Sequence, residues 1–257
     1  RNGSGRRVAV PGKRHHDLLR LDAELLGDAV ENAGIGLVGH VKVDLVGRVA
    51  GHDERFLDDP GNLLHGVAED LAATLQYGRQ RFPHCRHLAI GFSLSGNALL
   101  LLLADPTRGT QPDFAIAVNA PIHLDNTSVR LAQGLNRIYD FHFVRLMRQR
   151  IAEKIEHGFL HPYQYRLSGL NTLRELDEIY LAREAGFRNR QDYYERCSTH
   201  DKLVHVSVPT VLLTAEDDPF IDAGDYVRSR LSPAIHLHIE RHGGHMGYLS
   251  QDLHPKF

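Results

Sequence analysis

A serine, a carboxylate and a histidine each follow an apolar run in this chain, and that trio could carry out acyl-group chemistry. The serine lies in Ile90-Gly91-Phe92-Ser93-Leu94-Ser95-Gly96-Asn97, between the mostly apolar run His87–Phe92 and the leucine-rich run Ala98–Ala104. A serine flanked by small residues, where a strand turns abruptly into a helix, reads as a nucleophile elbow whose tight turn lifts the hydroxyl clear of the sheet. Glycines suit the flanks because a Cβ would collide with the neighbouring strand and helix. A serine hydroxyl is a weak nucleophile at neutral pH. A histidine must take its proton, and a carboxylate must fix that histidine's tautomer. The partners are expected further along, in the order Ser, Asp or Glu, His.

Ser93 is the expected nucleophile, because Gly91 stands two residues before it. Ser95 is the rival, but Asn97 rather than a small residue stands two places after it. With Ser93 as nucleophile, Ser95 occupies the place where a glycine is expected and adds a Cβ at a crowded point. The acid is expected in Thr214-Ala215-Glu216-Asp217-Asp218-Pro219-Phe220, after the run Pro209–Ala215. There a carboxylate would stand at the C-terminal edge of a sheet, the edge where open α/β sheets place their sites. Asp218, three residues after the small turn residue Ala215, is preferred, with Asp217 as the alternative acid; an acidic turn capping the next helix is the plainer reading. The base is expected in His242-Gly243-Gly244-His245-Met246-Gly247-Tyr248, after a run ending at Glu240. His245 is preferred, and His242, close to the strand end, is read as structural. The backbone N–H of Leu94 is the expected oxyanion donor.

The elements that must position these residues follow from periodicity. Leu64, Val67, Leu71 and Leu75 form one helical stripe, and a second helix is expected from Gly96 to about Asp105-Pro106. Short apolar runs predict strands at His87–Phe92 (buried), Phe114–Asn119, Pro209–Ala215 and Ala234–Glu240. Strands spaced by helices imply a mostly parallel sheet with right-handed crossovers. A helical excursion is expected over about 127–198, where Phe143, Leu146, Met147, Ile151 and Ile155 are read as one apolar face among Arg145, Arg148, Arg150 and Lys154. It reads as a helix packed on the domain or as a lid touching apolar substrate or lipid. Asp17–Ala33 is helix-like and Val41–Leu45 alternates like a strand. No repeat or linker interrupts the pattern, so 1–257 is read as a single domain.

Bulk properties narrow the function classes. The 257 residues carry 30 Lys and Arg against 32 Asp and Glu, which gives no electrostatic case for nucleic acid or an anionic membrane as partner. Two cysteines, Cys85 and Cys197, make no disulfide framework and suit a reducing, cytoplasmic setting. The longest apolar run, Ala98–Ala104, is far short of a membrane span. No hydrophobic segment adjoins the basic start Arg1–Arg7 as a secretory signal would require. The 18 histidines are scattered, and His242 and His245 are separated by two glycines, so no metal is expected.

With these residues in view, the chain resembles the YheT-like esterases of the α/β-hydrolase superfamily, from roughly Leu64 to Tyr248. The resemblance is carried by Gly91–Asn97 (where the family has Gly at the place of Ser95) and by Ala117-Val118-Asn119-Ala120-Pro121. Asp192-Tyr193-Tyr194-Glu195-Arg196-Cys197-Ser198, Pro209-Thr210, Ala215–Phe220 and Gly243–Gly247 complete it. It implies an α/β-hydrolase fold with a helical cap insertion and a serine triad of Ser93, Asp218 and His245. It also implies hydrolysis of small-molecule carboxylic esters, of short to medium chain or lipid-like, without a cofactor. Acyl transfer on the same triad and a non-catalytic binding role are the alternative readings. The family's His-Gly-Leu-type oxyanion loop has no good match in Arg1–Asp59, where Val10-Pro11-Gly12 and Gly36-Leu37-Val38-Gly39-His40 are poor substitutes. Residues 1–60 are therefore expected to be an atypical or incomplete N-terminal part.

Overall fold

The computed structural model of the chain describes residues 65–161, 163–165 and 167–248. The helix expected at Asp17–Ala33, the strand at Val41–Leu45 and the two substitutes for the upstream loop lie outside the described residues. The chain divides into two compact units, and the elements below belong to the larger, Val38–Met246.

Helix α1 (His65–Arg81) continues past the predicted stripe. Leu71 is buried, Leu75 packs on the core from a half-buried position, and Ala68 and Ala72 complete the face. Strand β1 (Leu88–Phe92) leads into α2 (Leu94–Ala104), which starts two residues earlier than the sequence suggests. The residues from Gly96 to Leu103 are all buried, as expected of a helix that is apolar all round. Strand β2 (Phe114–Val118), β3 (Thr210–Ala215) and β4 (Ile235–Glu240) complete the described sheet. Its order is β1-β2-β3-β4, and every pairing is parallel.

Burial separates inner from outer strands. β2 and β3 are buried at every position, which is why FAIAV and TVLLTA read as unbroken apolar runs rather than alternations. β1 is expected to be buried, yet Leu88 is 40% exposed and Gly91 alone among its residues is buried. Among the described residues it is an outer strand of the sheet. The register sets Phe92 beside Val118, Val118 beside Leu213, and Ala215 beside Glu240. All four strands thus release their chains at the same edge.

Between β2 and β3 run α3 (Leu124–Leu131), α4 (Arg137–Glu156), α5 (Leu173–Leu176), α6 (Ala182–Glu184) and α7 (Arg190–Cys197). A π-helical turn, Asp177–Leu181, joins α5 to α6. The excursion leaves and returns at one place: Thr199 N–H donates to Ile122 C=O (2.9 Å), and the buried Asn97 of α2 donates to Cys197 C=O (2.8 Å). On α4 the buried side is Asp140, Val144 and Ile151, with Met147 and Ile155 half-buried against the core. Phe143 and Leu146, expected on that side, are 38% and 43% exposed. At about 100° of rotation per residue, 144, 147, 151 and 155 keep one stripe, while 143 and 146 fall to its flank. Helix α8 (Ala223–Arg228) connects β3 to β4. No described helix is long and apolar enough to cross a membrane.

Candidate active site

The site is assembled where β1, β2, β3 and β4 end. At the end of β1, Ser93 takes φ 49° and ψ −123°, a conformation unusual for a residue with a side chain. Its N–H donates to Val118 C=O at 2.8 Å, extending the β1–β2 ladder by one bond before the helix begins. The elbow closes because two glycines face each other. A Cβ on Gly91 would come within 2.7 Å of Gly96 Cα and of Ser95 O, and one on Gly96 within 3.0 Å of Gly91 O. The crowding at the elbow thus lies at the approach of Gly91 to Gly96. Ser95 points its hydroxyl back at the strand, accepting from Phe92 N–H (2.9 Å) and donating to Phe92 C=O (2.8 Å).

Beyond β3 the acidic turn separates its carboxylates. Asp218 is 1% exposed, and its Oδ1 accepts from the N–H groups of Phe220 (2.8 Å) and Ile221 (3.0 Å). Its Oδ2 faces His245 Nδ1 at 2.8 Å. Asp217 points the other way, and its Oδ1 accepts from Gly243 N–H (2.9 Å) and Gly244 N–H (2.8 Å). The amide of Gly244, with that of Gly243 and nearby His242, holds the Asp217 carboxyl below the usual carboxylate range. The exposed Glu216 stays in the ladder through its backbone, donating to Glu240 C=O at 2.8 Å.

His245 follows β4 in a loop with positive φ at Gly244 (51°) and Met246 (68°). Its Nε2 lies 3.0 Å from Ser93 Oγ while Nδ1 faces Asp218. The Phe220 ring meets the imidazole edge-on at a centroid distance of 4.8 Å, and Tyr139 of α4 meets Phe220 at 4.9 Å. His242 is exposed and its Nδ1 lies 3.5 Å from Asp217 Oδ2. The Leu94 N–H belongs to the first turn of α2, where amides have no intrahelical acceptor. The structure therefore brings Ser93, His245 and Asp218 into one hydrogen-bonded line, with Leu94 adjoining, and turns Ser95 and Asp217 to other partners.

Asn119 is the residue that periodicity and spacing passed over. It directly follows β2 with φ 47°, is fully buried, and donates from Nδ2 to Asp218 Oδ2 (2.5 Å) and Gly244 C=O (3.2 Å). Its sequence signals were a polar residue closing an apolar run and a place in the Ala117–Pro121 segment that carries the family resemblance. Other reactive groups are placed differently. Burial pushes the Cys197 thiol up to about 12, so it stays protonated near neutral pH. Among the described residues, no three His, Cys, Asp or Glu side chains are grouped to hold a metal ion.

No family model matches the chain. The YheT protein of Escherichia coli (strain K12) is 32% identical over 195 residues, covering 74% of this chain and 57% of YheT. A monoacylglycerol lipase of Saccharomyces cerevisiae is 24% identical, covering 71% of this chain and 42% of its own length. Phospholipase ABHD3 of Mus musculus is 27% identical, covering 70% and 45%. The chain thus spans about half the length of the curated relatives it matches. With its parallel sheet, its helical excursion after β2 and its similarity to YheT, the chain belongs to the YheT-like family of the α/β-hydrolase superfamily.

Proposed function

We propose that the chain hydrolyses carboxylic esters through an acyl-enzyme on Ser93, with His245 as base and Asp218 as the acid that orients it. The single observation that carries this reading is the continuous relay from Ser93 Oγ to His245 Nε2 (3.0 Å) and from His245 Nδ1 to Asp218 Oδ2 (2.8 Å). Both contacts are within hydrogen-bond reach, as proton transfer requires.

Ser93 Oγ attacks the ester carbonyl carbon as its proton moves to His245 Nε2, and the carbonyl π pair becomes the oxyanion. Asp218 stays ionised and stabilises the imidazolium. Leu94 N–H supplies one donor to the oxyanion. When the intermediate collapses, the bond to the alkoxy oxygen breaks and the imidazolium proton passes to the departing alcohol. Water then gives a proton to His245 and adds to the acyl carbon. The second collapse releases the carboxylic acid and returns the proton to Ser93. These groups and one water account for every proton and electron pair.

The names of the relatives support the ester class: YheT is provisionally named an esterase, and the others a monoacylglycerol lipase and a phospholipase. The surroundings of the relay suit an apolar acyl group, since Phe220 lies beside the imidazole with Tyr139 packed on Phe220 in turn, and Leu94 is 46% exposed at the elbow. Short- to medium-chain or lipid-like esters are the substrates proposed.

The test is turnover of p-nitrophenyl esters of increasing acyl length, together with labelling by a fluorophosphonate. Ser93→Ala is expected to abolish labelling and lower kcat by on the order of 10⁴-fold or more. Labelling and turnover equal to wild type in that variant would reject Ser93.

A further inference from the structure

Asn119 stands between the acid and the loop that carries the base. Its backbone is locked first: the N–H donates to Leu213 C=O on β3 at 2.7 Å, and the next torsion enters the left-handed region at φ 47°. Asparagine tolerates that region better than most residues with a side chain, and the turn directs its amide into the interior. A primary amide has two N–H donors. Here one goes to Asp218 Oδ2 at 2.5 Å and the other to Gly244 C=O, the carbonyl preceding His245, at 3.2 Å. With two acceptors facing it, only the NH₂ end of the amide fits.

The oxygen that Asn119 binds is the same one that receives His245 Nδ1. The other oxygen of Asp218 is held by two backbone amides. Four donors therefore divide the carboxylate, and a single side chain supplies the one that shares an oxygen with the imidazole. We infer that Asn119 is a positioning residue of the ester-hydrolysing site, orienting Asp218 and holding the His245 loop through one amide group. The inference rests on the reading of Ser93, His245 and Asp218 as the reacting line.

The consequence is chemical as well as geometric. Hydrogen bonds to a carboxylate draw charge from it. Removing the Asn119 donor leaves Asp218 Oδ2 to the imidazole alone, so the imidazolium is held more tightly. Ionisable groups near the line, among the described residues, include Asp217 with His242 on the loop side, Tyr139 packed on Phe220, and Arg130 of α3. The Arg130 guanidinium reaches Asp218 C=O at 3.4 Å and Asp222 at 3.8 Å.

The experiment uses the chain with Asn119→Gly and Asn119→Asp. Glycine removes the amide while accepting φ 47°, so a loss of function is not confounded with backbone strain. Asn119→Gly is expected to lower kcat roughly 10- to 100-fold on a p-nitrophenyl ester, with KM changed no more than about threefold. The acid limb of its kcat/KM profile moves to higher pH. Asn119→Asp, of nearly the same shape, sets a second carboxylate against the first and moves that limb up by about one pH unit or more. The imidazole titration of His245, followed by NMR and assigned with His245→Asn, gives a readout independent of turnover. It is expected to move upward in both variants. An unchanged titration in Asn119→Asp, or wild-type kcat with an unshifted acid limb in Asn119→Gly, overturns the inference. Failure of the underlying reading looks different: Ser93→Ala then keeps its labelling, whatever happens at Asn119.

Discussion

Ser95 keeps its hydroxyl on the backbone of Phe92, while Ser93, two residues earlier, turns its own toward His245. Backbone torsion decides this, because φ 49° at Ser93 aims its Cβ away from the sheet, whereas Ser95 already lies in the first turn of α2. Ser95→Ala should therefore leave fluorophosphonate labelling intact and kcat within a few-fold of wild type. It should lose on the order of 1 kcal/mol of stability for the bonds to Phe92, read as a lower denaturant midpoint. Loss of labelling in that variant would move the nucleophile to Ser95. The two aspartates divide similarly. Asp217→Ala frees the amides of Gly243 and Gly244 and loosens the His245 loop, so kcat/KM is expected to fall roughly 10- to 100-fold. Asp218→Asn, which disturbs the imidazole tautomer, should cost about 10⁴-fold. Equal losses in the two, measured on one ester, would contradict the roles given to them.

At the scale of elements, the helical excursion carries its own half-buried carboxylate. Asp177, in the π-helical turn, accepts from Tyr194 Oη at 2.5 Å, and burial pushes its carboxyl up from 3.8 to about 7. Arg190 and Arg174 offset part of that burial, and Asp140 adds to it. Between about pH 4 and pH 7 the folded chain thus holds a proton that the unfolded chain has released. Stability contributed by this group is then lost as pH rises through that window, and the penalty is complete above it. Asp177→Asn keeps an acceptor for Tyr194 and removes the charge. Its melting temperature should exceed that of wild type near pH 8 and match it near pH 4. Thermal melts at the two pH values check this, and an equal offset at both would refute a titrating Asp177. The periodic pattern predicted that α4 exists but misassigned part of its face. Phe143 and Leu146 are apolar without being buried, because the core-facing apolar stripe of α4 runs through 144, 147, 151 and 155.

Across the whole molecule, the inner strands should be the most persistent structure. β2 and β3 are buried along their full length, whereas β1 and β4 are mostly half-exposed. Amide hydrogen exchange is expected to be slowest in Phe114–Val118 and Thr210–Ala215 and faster in Leu88–Phe92 and Ile235–Glu240. Equal protection in all four would show that burial does not rank them. Strand positions, their alternation with helices and the succession of a serine, a carboxylate and a histidine at strand ends were legible from residue order, because each depends on neighbours a few places away. What folding alone decided is which groups meet. The hydroxyl of Ser93 reaches His245 across a separation of 152 residues, and Asn119 reaches Asp218 across 99. Such contacts depend on where parallel strands stop along a shared edge and on left-handed torsions at Ser93 and Asn119, and no local pattern encodes a distance between segments so far apart in the chain.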